Sequence, residues 1–368
     1  MNILFCTLAY YPDVTGGAER QARLQAEELV RRGHRVTVVC ARAADAGSGE
    51  LAGVRVVRLW RLDRRPFTRI SYLLRLGAWL LHHVRGFDLI HVHLANLQAD
   101  VAVLAARPWE RPTYVKVACG GPVGEIVRLA SVARLTRWYG VRHATRLQAL
   151  SAEIAGELAE IGVRKERIVE IPNGIDVDEF TPVDDVQRAQ LRTKLRLPRD
   201  TTVVLFVGRF VYYKGIDDLL RAWQEVNGND VRLVIVGATK DDELDAPPGV
   251  IVRRWVKSAL EYMQAADVFV QPSHADGMSN AVLEAMACGL PIVAFEHGAT
   301  HDFIEHDRES VLVPARDTAA LAAALNRLSN DALLRGRMGV AARQSARRYE
   351  VGRIVDLIEA EYRSMVLS

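Results

Sequence analysis

Two stretches of this 368-residue sequence gather residue types that could hold and release an anion. In VFVQPSHADGMSNAVLEAMACGLPIVA (residues 268–294), a turn-rich loop lies between an apolar run and a helix-forming segment. A helix beginning near Asn280 brings the backbone of Gly277, Met278, Ser279 and Asn280 to its first turn. The N–H groups there lack intrahelical partners, and the helix dipole favours negative charge. Asp276 and Glu284 bracket this loop with seven residues between them. A carboxylate accepts two hydrogen bonds at once, which suits a vicinal diol. The second stretch is VVLFVGRFVYYKGIDDLLRAW (residues 203–223), where Arg209 and Lys214 follow an apolar run. Fixed cations in a dry site stabilise charge that builds on a departing oxygen.

These residues need elements to position them. Strands are expected over 268–271 and 292–294, with a helix over 280–288 between them. Ser279 is a suitable N-cap, Gly289 can end the helix in a left-handed conformation, and Pro291 stops it from continuing. Earlier in the chain, NILFCTL is a continuous apolar run, as expected of a parallel strand buried on both faces. AYYPDVTGGAERQ and a long amphipathic helix ending at Gly33 follow, then a strand over 34–40. Gly16 and Gly17 open that helix, but the loop lacks the G-x-G-x-x-G spacing of a dinucleotide fingerprint. Further strands are expected over 54–59, 89–92, 114–117, 147–150 and 168–171 in the first half. In the second half RLVIVG and IVRRWV are expected strands, followed by helices over 319–328, 331–349 and from Val351 onward. The alternation of strand and helix gives an α/β fold with doubly wound sheets.

The length suits two domains, and 49% hydrophobic with 25% charged residues is the composition of a globular protein. Four cysteines (Cys6, Cys40, Cys119, Cys288) lie far apart in apolar contexts without metal-type spacing. They are expected to be reduced core residues of a cytoplasmic protein. Neither a signal peptide nor a transmembrane span is expected, since the best apolar stretch, 70–84, is interrupted by Arg75. The net charge of +3 is uneven: residues 1–180 hold 25 Lys and Arg against 19 Asp and Glu, and residues 181–368 hold 23 against 26. Most of the excess lies in 55–146, with 16 basic and 5 acidic residues, which favours an anionic partner for the first half. Two basic, apolar segments there, 67–85 and 125–139, have a composition that can rest on an anionic membrane surface, although such stripes are commonly core faces. No recognition motif accompanies the charge, so nucleic acid is not an expected partner.

The second half resembles the signature of retaining glycosyltransferases of the GT-B fold, the group 1 or family 4 enzymes with the E-x7-E motif. Asp276 stands where their first glutamate is usual and Glu284 where the second is. The segment around Arg209 and Lys214 is similar to their G-R-[LF]-x-x-x-K-G pattern, FDLIHVHLAN to D-x-I-H-x-H, and IPNGIDVDEFTP to the hinge P-N-G-[IV]-D. The resemblance implies two Rossmann-like domains facing across a cleft: residues 1–172 for the acceptor, a hinge over 173–185, residues 186–349 for a nucleotide sugar, and a C-terminal helix over 350–368 crossing back. It also implies roles. Arg209 and Lys214 would grip the donor diphosphate, Glu284 the ribose hydroxyls, and Asp276 with Gly277 to Asn280 the sugar hydroxyls. Gly16 and Gly17 would lie near donor phosphate, and His93, just past its strand, near the donor sugar. The implied substrates are a UDP-sugar, or GDP-mannose, and a glycan, lipid-linked or small-molecule acceptor. No metal and no cofactor are expected; the D-x-D of Asp176 and Asp178 reads as turn chemistry. Departures are Asp276 itself, Asp302 for a usual glutamate, Arg253-Arg254-Trp255 beside the expected base site, and no histidine in the loop after Lys116. A GT-B nucleotide-sugar epimerase and a catalytically silent GT-B binding subunit remain open alternatives.

Overall fold

The computed structural model describes residues 1–12, 16–42, 47–62, 64, 67–127, 138–228, 230–239 and 246–367. The chain forms two compact units, Met1–Gly174 with Val351–Ser368, and Ile175–Glu350.

Unit 1 is built on β1 (Asn2–Cys6), β2 (Arg35–Ala41), β3 (Gly49–Leu51), β4 (Val54–Leu59), β5 (Leu89–His93), β6 (Thr113–Val117), β7 (Arg146–Ala149) and β8 (Ile168–Glu170). Their order is β3-β4-β2-β1-β5-β6-β7-β8, parallel throughout except for β3 against β4. Its helices are α1 (Gly17–Arg31), α2 (Phe67–His83), α3 (Leu97–Ala106), α4 (Tyr139–His143) and α5 (Ala152–Glu160). Unit 2 has α6 (Asp185–Lys194), α7 (Ile216–Trp223), α8 (Leu260–Ala265), α9 (Asn280–Ala287), α10 (Thr318–Asn330) and α11 (Ala332–Ala346). The last helix, α12 (Val351–Leu367), belongs to unit 1. Ile3, Phe5 and Leu89 of the sheet share a core with Leu29 of α1 and with Ile354, Ile358 and Tyr362 of α12. Arg32 fastens the two helices with bonds to Glu28 (2.7 Å) and to Asp356 (2.5 Å).

The sheet of unit 2 is parallel: β9 (Thr202–Val207), β10 (Val231–Ala238), β11 (Val250–Arg254), β12 (Val268–Gln271), β13 (Ile292–Phe295) and β14 (Ser310–Val313), in the order β11-β10-β9-β12-β13-β14. Strands such as Val203–Phe206 are wholly apolar because helices cover both faces. Among the parallel strands of each sheet the winding direction reverses once, between β1 and β5 in unit 1 and between β9 and β12 in unit 2. Ligands of open α/β sheets bind outside the carboxyl ends of the strands at such a reversal.

Most expected strands match to within two residues at either end. The short β3 was not expected, because three residues carry no readable period. The turn that creates it, Ala52-Gly53 at φ 49° and 75°, has the two left-handed residues of a tight hairpin. Cys6, Cys40 and Cys288 are buried as expected, while Cys119 is only half-buried. Of the expected helical segment 125–139, residues 128–137 lie outside the described residues.

Candidate active site

The reversal point of unit 2 is formed by the loops leaving β9 and β12, and their backbones are pressed together. Gly215 sits at φ 69° immediately before α7, and a Cβ there would lie 1.8 Å from the carbonyl oxygen of Pro272. Only glycine meets both demands, the left-handed backbone and the missing Cβ. Beside it the His274 N–H donates to the Tyr213 carbonyl (2.8 Å), and the His274 ring lies 2.5 Å from the Asp218 carboxylate on α7. Across these joined loops Lys214 Nζ donates to Asp276 Oδ2 at 2.5 Å, with both side chains largely but not wholly covered. Gln271, at the end of β12, donates to Ser273 Oγ (2.6 Å) and to Asp276 Oδ2 (3.3 Å). Arg209 is exposed and reaches Tyr213 Oη at 3.0 Å. The cation and carboxylate are thus assembled on rigid backbone and paired with each other.

Next to this pair α9 begins. Gly277, Met278 and Ser279 are buried, and Asn280 is half-buried at the first helical position. Ser279 occupies the N-cap position, but its side chain makes no capping bond. Gly289 takes φ 77° after the helix, as its residue type suggested. Glu284 is 2% exposed in the middle of α9. On the other side, His297 follows β13, half-buried, with Nδ1 lacking a hydrogen-bond partner. Burial pulls its pKa down, Asp276 opposes this, and Lys214 and His301 add to it. His297 therefore lies within electrostatic reach of the Lys214–Asp276 pair.

The reversal point of unit 1 is organised differently. Gly16 takes the N-cap position and Gly17 begins α1, after the loop from β1. His93 was expected just beyond its strand, yet it is the last paired residue of β5, opposite Lys116. It is 1% exposed and stacks on His91, with ring centroids 4.0 Å apart, while the Phe5 ring lies tilted against it at 4.8 Å. A side chain on the sheet's covered face, two residues from His91, has to point the same way as His91. Burial, then His91 and Lys116, hold its imidazole in the neutral form. The chain leaves β5 through Leu94, a strained left-handed residue at φ 85°. Glu125 then fixes the exits of two strands: its carboxylate accepts from the Ala95 N–H (2.9 Å) and from the Ala118 N–H (3.2 Å).

Residues 16–174 match the family described as glycosyl transferase 4-like domain, and residues 201–331 match glycosyl transferases group 1. A D-inositol 3-phosphate glycosyltransferase of Xylanimonas cellulosilytica is 32% identical over 301 residues, covering 73% of this chain and 70% of the relative. The chain belongs to the group 1 glycosyltransferases. A second relative of the same name, from Frankia alni, is 29% identical over 80% of the glycosyltransferase described here and 81% of its own length. Among solved structures, Anabaena HepE in complex with UDP-glucose superposes with a TM-score of 0.81 at 20% identity, covering 99% of this glycosyltransferase and 100% of HepE. Sucrose-phosphate synthase from Thermosynechococcus elongatus gives 0.80 at 22% identity, covering 99% and 98%. The fold is GT-B.

In this glycosyltransferase Arg209, Lys214, Asp276 and the segment from Gly277 to Asn280 stand together at one reversal point, with Glu284 on the adjoining helix. Gly16, Gly17 and His93 stand at the reversal point of unit 1. Two residues beside the Lys214–Asp276 pair of unit 2, and Glu125 at the strand exits of unit 1, were missed in the sequence. His297 had a usable signal, a histidine two residues past the end of a buried strand. Gln271 and Glu125 had none: one is a strand residue in an apolar run, the other reaches two loops that only the fold brings together. The Asp176-x-Asp178 pair is turn chemistry, since Asp176 Oδ1 accepts from the N–H groups of Asp178 (3.0 Å) and Glu179 (2.9 Å). Among the described residues no three His, Cys, Asp or Glu side chains converge as a metal group.

Proposed function

We propose that this nucleotide-sugar glycosyltransferase moves a hexose or N-acetylhexosamine from a UDP-sugar to an acceptor hydroxyl with retention of anomeric configuration. The observation that carries this is the Lys214–Asp276 pair, held by crowded backbone where the sheet of unit 2 reverses. A donor diphosphate entering there offers Lys214 a better counter-ion than Asp276, and Arg209 is free to swing from the Tyr213 hydroxyl toward the same phosphates. Asp276, released, accepts from hydroxyls of the donor sugar beside the backbone of Gly277 to Asn280. Glu284 holds the ribose diol. As the anomeric carbon separates from the phosphate oxygen, the electron pair stays on that oxygen, where Lys214 stabilises it. The acceptor oxygen bonds to the anomeric carbon on the same face, and its proton passes to the departing phosphate. In this scheme His93 is a positioning residue that supports the strained exit of β5 rather than a group in contact with sugar.

The D-inositol 3-phosphate glycosyltransferase relatives support a small phosphorylated polyol as one acceptor class, and the basic excess of residues 55–146 suits such an anion. Glycans and lipid-linked acceptors share the required hydroxyl. The test is incubation with UDP- and GDP-sugars, with and without candidate acceptors, following free nucleotide and the anomeric signals of product by NMR. Acceptor-dependent nucleotide release with a retained anomer is the expected outcome. Inverted product removes the same-face scheme. Epimerised donor without free nucleotide identifies an epimerase, and tight binding without turnover a silent binding subunit.

A further inference from the structure

We infer that the outer face of α2 docks on an anionic lipid surface. Phe67, Ile70, Leu74 and Leu81 are 53, 53, 70 and 56% exposed. At about 100° per residue these four fall within an arc of roughly 60°. The residues that α2 buries in unit 1, Tyr72, Leu76 and Leu80, lie on the opposite side. The helix therefore has one apolar face that the core uses and a second that it does not. Trp60 and Leu62, each 45% exposed, widen the second face. The N–H of Leu62 donates to Ser71 Oγ (3.0 Å), which pins this segment to the helix. The Arg75 guanidinium lies 4.7 Å from the Trp60 ring centroid, at the border of the patch.

Charge selects the occupant. Between Asp63 and Asp88 the sequence carries five arginines and two histidines and not one carboxylate. A second copy of the same face would oppose arginine with arginine across an apolar seam, with no counter-charge to relieve it. A bilayer containing acidic lipids offers phosphates to Arg75 at the border of the patch and, beneath them, hydrocarbon to the stripe. No helix among the described residues is long and apolar enough to cross a membrane, so the contact is lateral. It does not depend on catalysis, and failure of the glycosyl-transfer scheme would leave it standing.

The test is co-sedimentation of the full chain with phosphatidylcholine vesicles and with vesicles of equal parts phosphatidylcholine and phosphatidylglycerol, at low and high salt. Binding to the anionic vesicles, weakened by salt, is expected. The double variant Ile70→Glu/Leu74→Glu should bind at least about tenfold more weakly, because each substitution replaces an inserted apolar group by a charge of the wrong sign. Leu74→Ser and Arg75→Gln should each lose less. All these side chains are exposed, so circular dichroism and melting should stay at wild-type values. Absent binding, equal binding to neutral vesicles, or binding untouched by the double variant overturns the inference. A wild-type dimer in light scattering that the same double variant dissolves also overturns it, and makes the face a self-interface.

Discussion

The two reversal points are built from the same parts and hold charge in opposite ways. In unit 2, Lys214 and Asp276 are paired with each other and only 16 and 19% exposed, on loops locked by the contacts of Gly215 with Pro272 and of Gly237 with Gly208. In unit 1, His91, His93 and Lys116 line the covered face of the sheet, each at most 1% exposed. Both ring nitrogens of His93 and Nε2 of His91 lack partners, and Lys116 Nζ donates to Asn173 Oδ1 at 2.7 Å. Removing one partner of a largely covered ion pair is costly, but an entering anion can replace the carboxylate as counter-ion of the lysine. A buried polar group without a partner resists ionisation and weakens the fold. The charged groups of unit 2 are thus paired and partly reachable by solvent, whereas the polar set of unit 1 is enclosed within the protein.

The largest effect should come from the backbone crowding. Gly215→Ala adds a left-handed alanine and forces the Pro272 carbonyl aside, together roughly 2–5 kcal/mol of lost stability. Gly16→Ala should cost less than about 1 kcal/mol, since φ is −139° and the added Cβ meets only the flexible end of Glu19. Urea unfolding of the two variants compares the loops directly. Equal midpoints would mean that unit 2 is not held by this contact.

Next in size is the split between Lys214 and His93. Lys214→Ala should lower kcat about 10²–10³-fold with a smaller change in donor affinity, as expected when one stabiliser of a developing anion is lost. His93→Asn should lower the melting temperature while turnover per folded molecule changes by less than about tenfold, since a buried side chain acts through packing. A hundredfold loss of turnover at unchanged melting temperature would place His93 against substrate and erase the contrast between the units. Glu284→Ala should weaken nucleotide binding by about tenfold or more, the loss of a charged hydrogen-bond partner. Matching UDP and GDP titrations for that variant and wild type would remove Glu284 from the ribose.

How far the sequence foretold these features depends on the range of the interaction. Strands such as 268–271 and the end of α9 at Gly289 were legible because apolar runs and turn residues act locally. The loops around Lys214 and Asp276 were legible because both follow strands. The bond between those two side chains was not, since it requires β9 and β12 to be neighbours, and they are 64 residues apart in the paired register Val204 to Val268, with two other strands between them in the chain. The placement of His93 was not legible for a related reason. Its spacing from His91 fixes a common face, but which face helices α1 and α12 cover is a tertiary fact.

The smallest effect is the most specific to unit 1. Burial depresses the Lys116 ammonium to a pKa of about 7, against the partial support of Glu125. In the unfolded chain a lysine titrates near 10.4. Between these values the unfolded state holds more protons than the native state, so stability must rise with pH across that window and fall as pH drops toward 7. The slope cannot exceed about 1.4 kcal/mol per pH unit for one proton. His91 and His93, also depressed by burial, act in a separate window, below the usual histidine value near 6.5. Lys116→Met should flatten the slope above pH 7 and leave the acid loss intact, read by hydrogen exchange of β5 and β6 amides as a function of pH. Should the variant keep the alkaline slope, Lys116 is hydrated and charged, and unit 1 would then present a cation at its strand ends as unit 2 does.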